Sequence, residues 1–183
     1  MSLFDVYPLF DVTPDYAKDI YVYDTQGQAY LDLYGGHAVI SIGHSHPTYV
    51  EAISSQVSKL GFYSNAIQNP LQNQVSTKLA KLSGCDEYQL FLCSSGAEAN
   101  ENALKLASFH TQKSRILAFK NSFHGRTSAA VAATDNSKII APLNAQQKVD
   151  FVEFEDLEAV EVILSKNETC AVIIECIQGV GGL

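Results

Sequence analysis

From residue 88 onward, short apolar runs alternate with helical patterns, and this rhythm constrains the fold more than any other feature of the chain. Residues 88–93, 115–119, 149–154 and 170–175 read as strands, each a near-continuous apolar run. Residues 96–110, 127–134 and 156–165 read as helices between them. Strands of this kind are buried on both faces, and helical crossovers between them demand parallel pairing. The expected class is therefore α/β, with a mostly parallel sheet flanked by helices. A composition of 46% hydrophobic and 17% charged residues is ample for such a core and argues against disorder.

The first third of the chain reads differently. Residues up to about 19 suggest an arm. Ile20–Tyr23 and Ala29–Leu33 are β-favouring runs around the turn residues Asp24-Thr25-Gln26-Gly27, which predicts a hairpin. A loop rich in Gly and His follows, up to Pro47, a residue suited to the first turn of a helix. Val50, Ile53, Val57 and Leu60 then recur at helical spacing, as do Leu71, Val75, Leu79 and Leu82 after Pro70. Each set predicts one buried helix stripe, and Gly84 is placed to end the second helix.

Twelve basic against twenty acidic residues give a net charge of −8. An acidic surface argues against nucleic acid and against anionic membranes as partners. The four cysteines form no CxxC pair and are expected to be buried, reduced thiols. No apolar stretch reaches membrane-spanning length, and the first residues lack the pattern of a secretory leader, so the expected location is cytoplasmic.

Four segments carry candidate chemistry. Cys93-Ser94-Ser95-Gly96-Ala97-Glu98 follows a strand and opens a helix, where free N–H groups and the helix dipole can hold a phosphate. Gly96 permits close approach, and the Ser95 hydroxyl can add a bond. Ser95-x-x-Glu98 is equally a capping box, which needs no ligand. Glu101 and Lys105 form an i,i+4 pair that reads as surface support. Asn121-Ser122-Phe123-His124-Gly125-Arg126-Thr127 offers an aromatic ring to stack on a planar ligand and a guanidinium fork for a carboxylate. His37 and the run Gly43-His44-Ser45-His46-Pro47 lack further ligands at metal spacing, so turn and capping duty is expected there, with no metal. Glu175, at a strand end, needs a partner or a place in a site. The glycine-rich run from Gly179 to Gly182 leaves that same strand edge, where open α/β sheets bind ligands; an ending there suggests a truncated chain.

Taken in order, Tyr30-Leu31-Asp32, Gly43-His44 through Pro47, Ser95–Glu101, Phe123–Thr127 and Glu175-x-Ile177-Gln178-Gly179 resemble the class III aminotransferases, most closely the acetylornithine and ornithine branch. The resemblance spans the whole chain, which is similar to the first half of such proteins. It implies fold type I of the pyridoxal-phosphate transferases, cut short before the sheet and the C-terminal domain are complete. Residues 1–45 would be the arm, hairpin and loop of the small domain, and residues 46–183 the first part of the large cofactor-binding domain.

The resemblance further implies pyridoxal 5'-phosphate as cofactor. Ser95, Gly96 and Ala97 would cradle its phosphate. Phe123 would stack on its ring with His124 alongside, and Glu175 would lie near it. Arg126 would clamp the substrate carboxylate, with Tyr7 and His37 reaching the substrate. No catalytic residue is expected within this chain, because the Schiff-base lysine and the aspartate facing the pyridine nitrogen would lie beyond residue 183; these residues alone would therefore be inactive. The implied reaction of the whole enzyme moves the ω-amino group of an N-acylated ornithine to 2-oxoglutarate, in arginine biosynthesis. Ornithine or another ω-amino acid is the rival donor, and a non-catalytic half-protein that binds a phosphate ligand or a complementary chain is the rival class. Amino-acid and 2-oxo-acid substrates and a homodimer are the implied partners. Val180 stands where that branch carries Glu, and Cys176 where Pro is common.

Overall fold

A computed structural model describes Phe4 and residues 6–182. The remaining positions of the leader reading, and the final Leu183, lie outside the described residues. The chain divides into two compact units, Met1–Val75 and Ser76–Leu183.

The first unit holds an antiparallel meander of β1 (Pro14–Lys18), β2 (Tyr21–Asp24) and β3 (Ala29–Leu31), in that spatial order. The expected hairpin is β2–β3. Asp24 organises its turn: Oδ1 accepts the N–H groups of Gln26 and Gln28, both at 2.9 Å, and Gly27 takes a φ of 79°. Strand β1 corrects the expected arm. Its residues carry no alternating apolar pattern, and it is recruited by pairing with β2, with Tyr16 stacked on its register partner Tyr23 at 4.5 Å between ring centroids.

The loop after β3 is tied down by Asp32. Its Oδ1 accepts the N–H groups of Tyr34 and Gly35, and its Oδ2 meets His44 Nε2 at 2.7 Å. The bond to His44 is the main reason the Asp32 carboxyl lies below its ordinary pKa. Between these anchors, α1 (Gly35–Ala38) is a single turn with φ values of 56–61°, left-handed even at His37 and Ala38. Helix α2 (Pro47–Leu60) begins at proline as expected. Helix α3 (Pro70–Ser83) is followed by Gly84 at a φ of 69°. The apolar stripes of both helices are exposed rather than buried, which corrects the expectation. A stripe reports only what a helix is able to bury, and among the described residues neither stripe is covered.

The second unit is the α/β body. Strands β4 (Arg115–Phe119), β5 (Val149–Val152) and β6 (Thr169–Val172) form a parallel sheet ordered β5-β4-β6. Central β4 alternates between two cores. Ile116 and Ala118 face α4 (Gly96–Thr111) and the segment of α5 (Ser128–Ala132), packing with Leu104 and Ala133. Leu117 and Phe119 face α6 (Leu157–Ser165), packing with Val152, Val160 and Ile163. The sheet is thus covered on both faces, as the apolar runs require.

Two expectations fail here. Residues 88–93 form no strand: they carry no ladder among the described residues, and Leu90, Phe91 and Leu92 are exposed. The cysteines are free but not buried, since Cys85, Cys93 and Cys176 are exposed and Cys170 is half-buried. Burial raises the Cys170 thiol above its ordinary pKa. No helix among the described residues is long and apolar enough to cross a membrane.

Candidate active site

Two turns of the second unit, each leaving an apolar run and opening a helix, face each other across one cavity of about 710 Å³. Ser95, Gly96 and Ala97 line it from the start of α4; Phe123, His124 and Arg126 line it from the β4–α5 loop.

At the first turn, Ser95 is the N-cap of α4 with extended backbone. Its Oγ accepts the Glu98 N–H at 3.2 Å and donates to Glu98 Oε2 at 3.0 Å, while that carboxylate also accepts the Ser94 N–H. The capping box is therefore made, with its return bond shifted to Ser94. The N–H groups of Gly96 and Ala97 have no acceptor among the described residues. A Cβ placed on Gly96 would meet nothing within 4 Å. An open glycine and two donors at the positive end of a sixteen-residue helix fit a phosphate group.

The second turn is fastened from several sides. Ser122, buried, donates to the Phe119 carbonyl at 2.6 Å. Asp135 accepts the Asn121 N–H at 2.9 Å, and Glu175, from beyond β6, accepts the Phe123 N–H at 2.8 Å. The Thr134 hydroxyl accepts the His124 N–H, and Asn100 of α4 donates to the His124 carbonyl at 2.8 Å. Gln178, 1% exposed, donates through Nε2 to the Lys120 carbonyl, so the segment after β6 holds this loop at two points. Gly125, at a φ of 130°, is obligatory, because a Cβ there would lie 2.5 Å from Ala97 Cβ. Burial holds the His124 imidazole below its ordinary pKa, with the Glu175 charge pulling the other way. His124 Nε2 is buried without a partner in the described structure, a ring nitrogen left with hydrogen-bonding capacity beside the cavity.

Glu101 keeps the Lys105 charge nearby, as expected, but does more than support the surface. Its carboxylate accepts the Thr127 hydroxyl at 2.8 Å and the N–H groups of Ala129 and Ala130 at 2.9 and 3.1 Å. Partial burial works against ionisation, but these donors outweigh it and the carboxyl titrates below its ordinary value. Asn100, Glu101, Gly125 and Gln178 are thus parts of the site's frame that single-motif reading passed over. A polar pair on the first turns of a helix that opens at a cavity was the available signal for the first two.

Tyr7 and His37 belong to the first unit. Tyr7 lies exposed ahead of β1. His37 sits in the left-handed turn, where Nδ1 meets the Tyr34 hydroxyl at 2.5 Å.

The sequence family described as aminotransferase class-III matches residues 6–183. This chain is a class-III aminotransferase sequence. It is 40% identical over 183 residues to the acetylornithine aminotransferase of Bacillus subtilis (strain 168), covering 100% of this chain and 47% of that protein. Against the acetylornithine aminotransferase of Bacillus amyloliquefaciens the identity is 40% over 183 residues, covering 79% of that protein. Among solved structures, the ornithine aminotransferase from Toxoplasma gondii ME49 superposes with a TM-score of 0.88 at 25% identity, over 98% of this chain and 44% of that one. A second structure of the Toxoplasma gondii enzyme, with partial occupancy of PLP at its active site, superposes with a TM-score of 0.86 at 25% identity, over 97% of this chain and 44% of that one. The fold is that of the type I pyridoxal-phosphate aminotransferases, of which these residues form an N-terminal part, and the chain spans about half the length of most relatives it matches. Pyridoxal 5'-phosphate is the cofactor that membership of the class-III aminotransferases implies.

Proposed function

We propose that the whole protein to which these residues contribute transfers the ω-amino group of an N-acylated ornithine to 2-oxoglutarate, working as a cytoplasmic homodimer in arginine biosynthesis. The single observation that carries this reading is the shared cavity, which has the Ser95–Ala97 turn on one wall and Phe123 and Arg126 on the other. The likeness to acetylornithine aminotransferases supports the choice of donor.

In this reading the N–H groups of Gly96 and Ala97 bind the cofactor phosphate, and the Ser95 hydroxyl turns from Glu98 to join them. Phe123 packs against the cofactor ring, held in place through its own N–H by Glu175. His124, whose burial disfavours the charged form, offers Nε2 as a hydrogen-bonding atom beside the ring. Arg126 takes the substrate carboxylate through its planar fork, which fixes which end of the donor is presented for reaction. For Tyr7 and His37, which belong to the first unit, a substrate role rests on the family resemblance alone. Bound pyridoxal phosphate supplies the electron-withdrawing ring that stabilises negative charge beside the reacting amine.

The test uses the full-length protein loaded with pyridoxal phosphate. The absorbance of the bound cofactor should change on adding N-acetylornithine, and 2-oxoglutarate should then restore it with formation of glutamate. An unchanged spectrum with N-acetylornithine, ornithine and shorter ω-amino acids alike would refute the assignment. A response confined to ornithine would move the donor without disturbing the cofactor site.

A further inference from the structure

The cavity has two walls, and something must keep them in register if one is to hold a phosphate while the other receives a carboxylate. The neighbours of Arg126 in sequence show what does this. On one side, Gly125 is pressed so close to Ala97 that no side chain fits between them. On the other, Thr127 donates to Glu101 and approaches the Ala97 carbonyl at 3.3 Å. Both flanks of Arg126 are thus fastened to α4, the helix whose first residues carry the open N–H groups.

Glu101 is the centre of that fastening. Thr127 is the N-cap of α5, but its side chain makes no cap to that helix. The capping role passes to Glu101, one turn into α4, whose carboxylate gathers the Thr127 hydroxyl and two backbone N–H groups of α5. An anion at a helix N-terminus is favourable, and here it comes from a different helix, so capping α5 also joins it to α4. Asn100, the adjacent residue, holds the His124 carbonyl in the same way.

We propose that Glu101 is a positioning residue that ties the Arg126 loop to the phosphate-holding helix, and so sets where the guanidinium meets the substrate carboxylate. The inference rests on the transaminase reading above. It assigns Glu101 no contact with cofactor or substrate. Loss of the tie leaves the Gly96 and Ala97 donors in place, since they belong to α4 itself, and leaves Phe123 and His124 on their own bonds to Glu175 and Thr134, but loosens the Thr127 side of Arg126. Substrate carboxylate binding is therefore the step that suffers, and cofactor binding is spared.

The experiment uses the full-length protein with pyridoxal phosphate and two variants. Glu101→Gln keeps the shape and removes the charge; Thr127→Val keeps the α5 N–H bonds and removes the hydroxyl. Three quantities are measured: the pyridoxal phosphate Kd, the Kd of glutarate as an unreactive dicarboxylate, and KM and kcat for N-acetylornithine. Glu101→Gln should raise the glutarate Kd and the KM about tenfold, the scale of one charge-assisted hydrogen bond. The cofactor Kd and kcat should stay within about threefold of the parent, because their groups are untouched. Thr127→Val should move the same two constants in the same direction by a smaller factor. Glutarate affinity unchanged in both variants would overturn the proposal, as would equal losses in cofactor affinity, KM and kcat, the pattern of general loosening. If the parent itself gives no spectral response to any donor, the transaminase reading falls and takes this inference with it; if the parent responds and only the variants fail to differ, this inference falls alone.

Discussion

The two walls of the cavity are built to one plan and finished differently. Each is an apolar run that leads into a turn and then a helix: residues 88–93 into Ser95 and α4, and β4 into Phe123 and α5. Strand β4 has a neighbour on both sides and lies in the core, so the turn that leaves it is fixed at its root. Among the described residues, 88–93 pair with no strand, and their side chains are exposed. The Phe123 turn is then fastened by Asp135, Glu175, Thr134 and Asn100, whereas Ser95 is held chiefly by its own capping box. Equal local patterns thus acquire unequal structure, because a strand is completed by its partners and not by its own residues.

The largest effect should come from the roots of the two walls. Leu117, 0% exposed in the middle of β4, is expected to cost about 2–5 kcal/mol when replaced by Ala. The same change at Leu92, 50% exposed, should cost about 0.5 kcal/mol or less in this 183-residue chain. Denaturant unfolding of both variants compares them directly. Equal losses would mean that residues 88–93 are packed as well as β4 is.

Next come the two glycines. Gly125→Ala forces a Cβ against Ala97 at a backbone angle that favours glycine, and should cost about 1–3 kcal/mol of stability. Gly96→Ala has open space for its methyl group and should leave stability within about 0.5 kcal/mol. In the full-length protein, that methyl group would enter the space where the cofactor phosphate is proposed to sit, so cofactor affinity should fall while the melting curve holds. A Gly96→Ala variant with normal cofactor affinity would place the phosphate elsewhere.

These contrasts also mark what could be read from the chain. The strand at Arg115–Phe119, the hairpin turn at Asp24–Gly27, the proline starts of α2 and α3 and the cap at Ser95 were legible, because each is decided by residues within one or two turns of itself. The pairing of β1, the exposure of residues 88–93 and the uncovered stripes of α2 and α3 were not, since each depends on residues distant in sequence or on neighbours not found among the described residues. In the site, the residues that face the cavity were visible as motifs. The frame behind them was less so: Glu101 reaches Thr127, and Gln178 reaches Lys120, across separations that no local pattern encodes.

A smaller effect than those at the core concerns the guanidinium. Arg126→Lys keeps the charge and loses the planar fork, so the full-length protein should bind glutarate about 10–100-fold more weakly, with cofactor affinity unchanged. Titration calorimetry reads both. Comparable losses in the two affinities would mean that the rigid wall serves the cofactor as much as the substrate.

The smallest effect is a pH dependence carried by the tie between the walls. Burial pushes the Glu101 carboxyl up, but the Thr127 hydroxyl, the Ala129 and Ala130 N–H groups and the Lys105 charge together hold it below its ordinary pKa. A carboxyl whose folded pKa is depressed stabilises the fold at pH values above its unfolded pKa. That contribution fades as pH falls towards and through the folded value, because protonation then costs the native state its anion. Urea midpoints of the parent and of Glu101→Gln, taken between about pH 6 and pH 3, should therefore differ most at the upper end and converge at the lower. Parallel curves would show that the charge of Glu101 contributes nothing, and that the Asn100 bond to the His124 carbonyl and the close approach of Gly125 to Ala97 join the two walls without it.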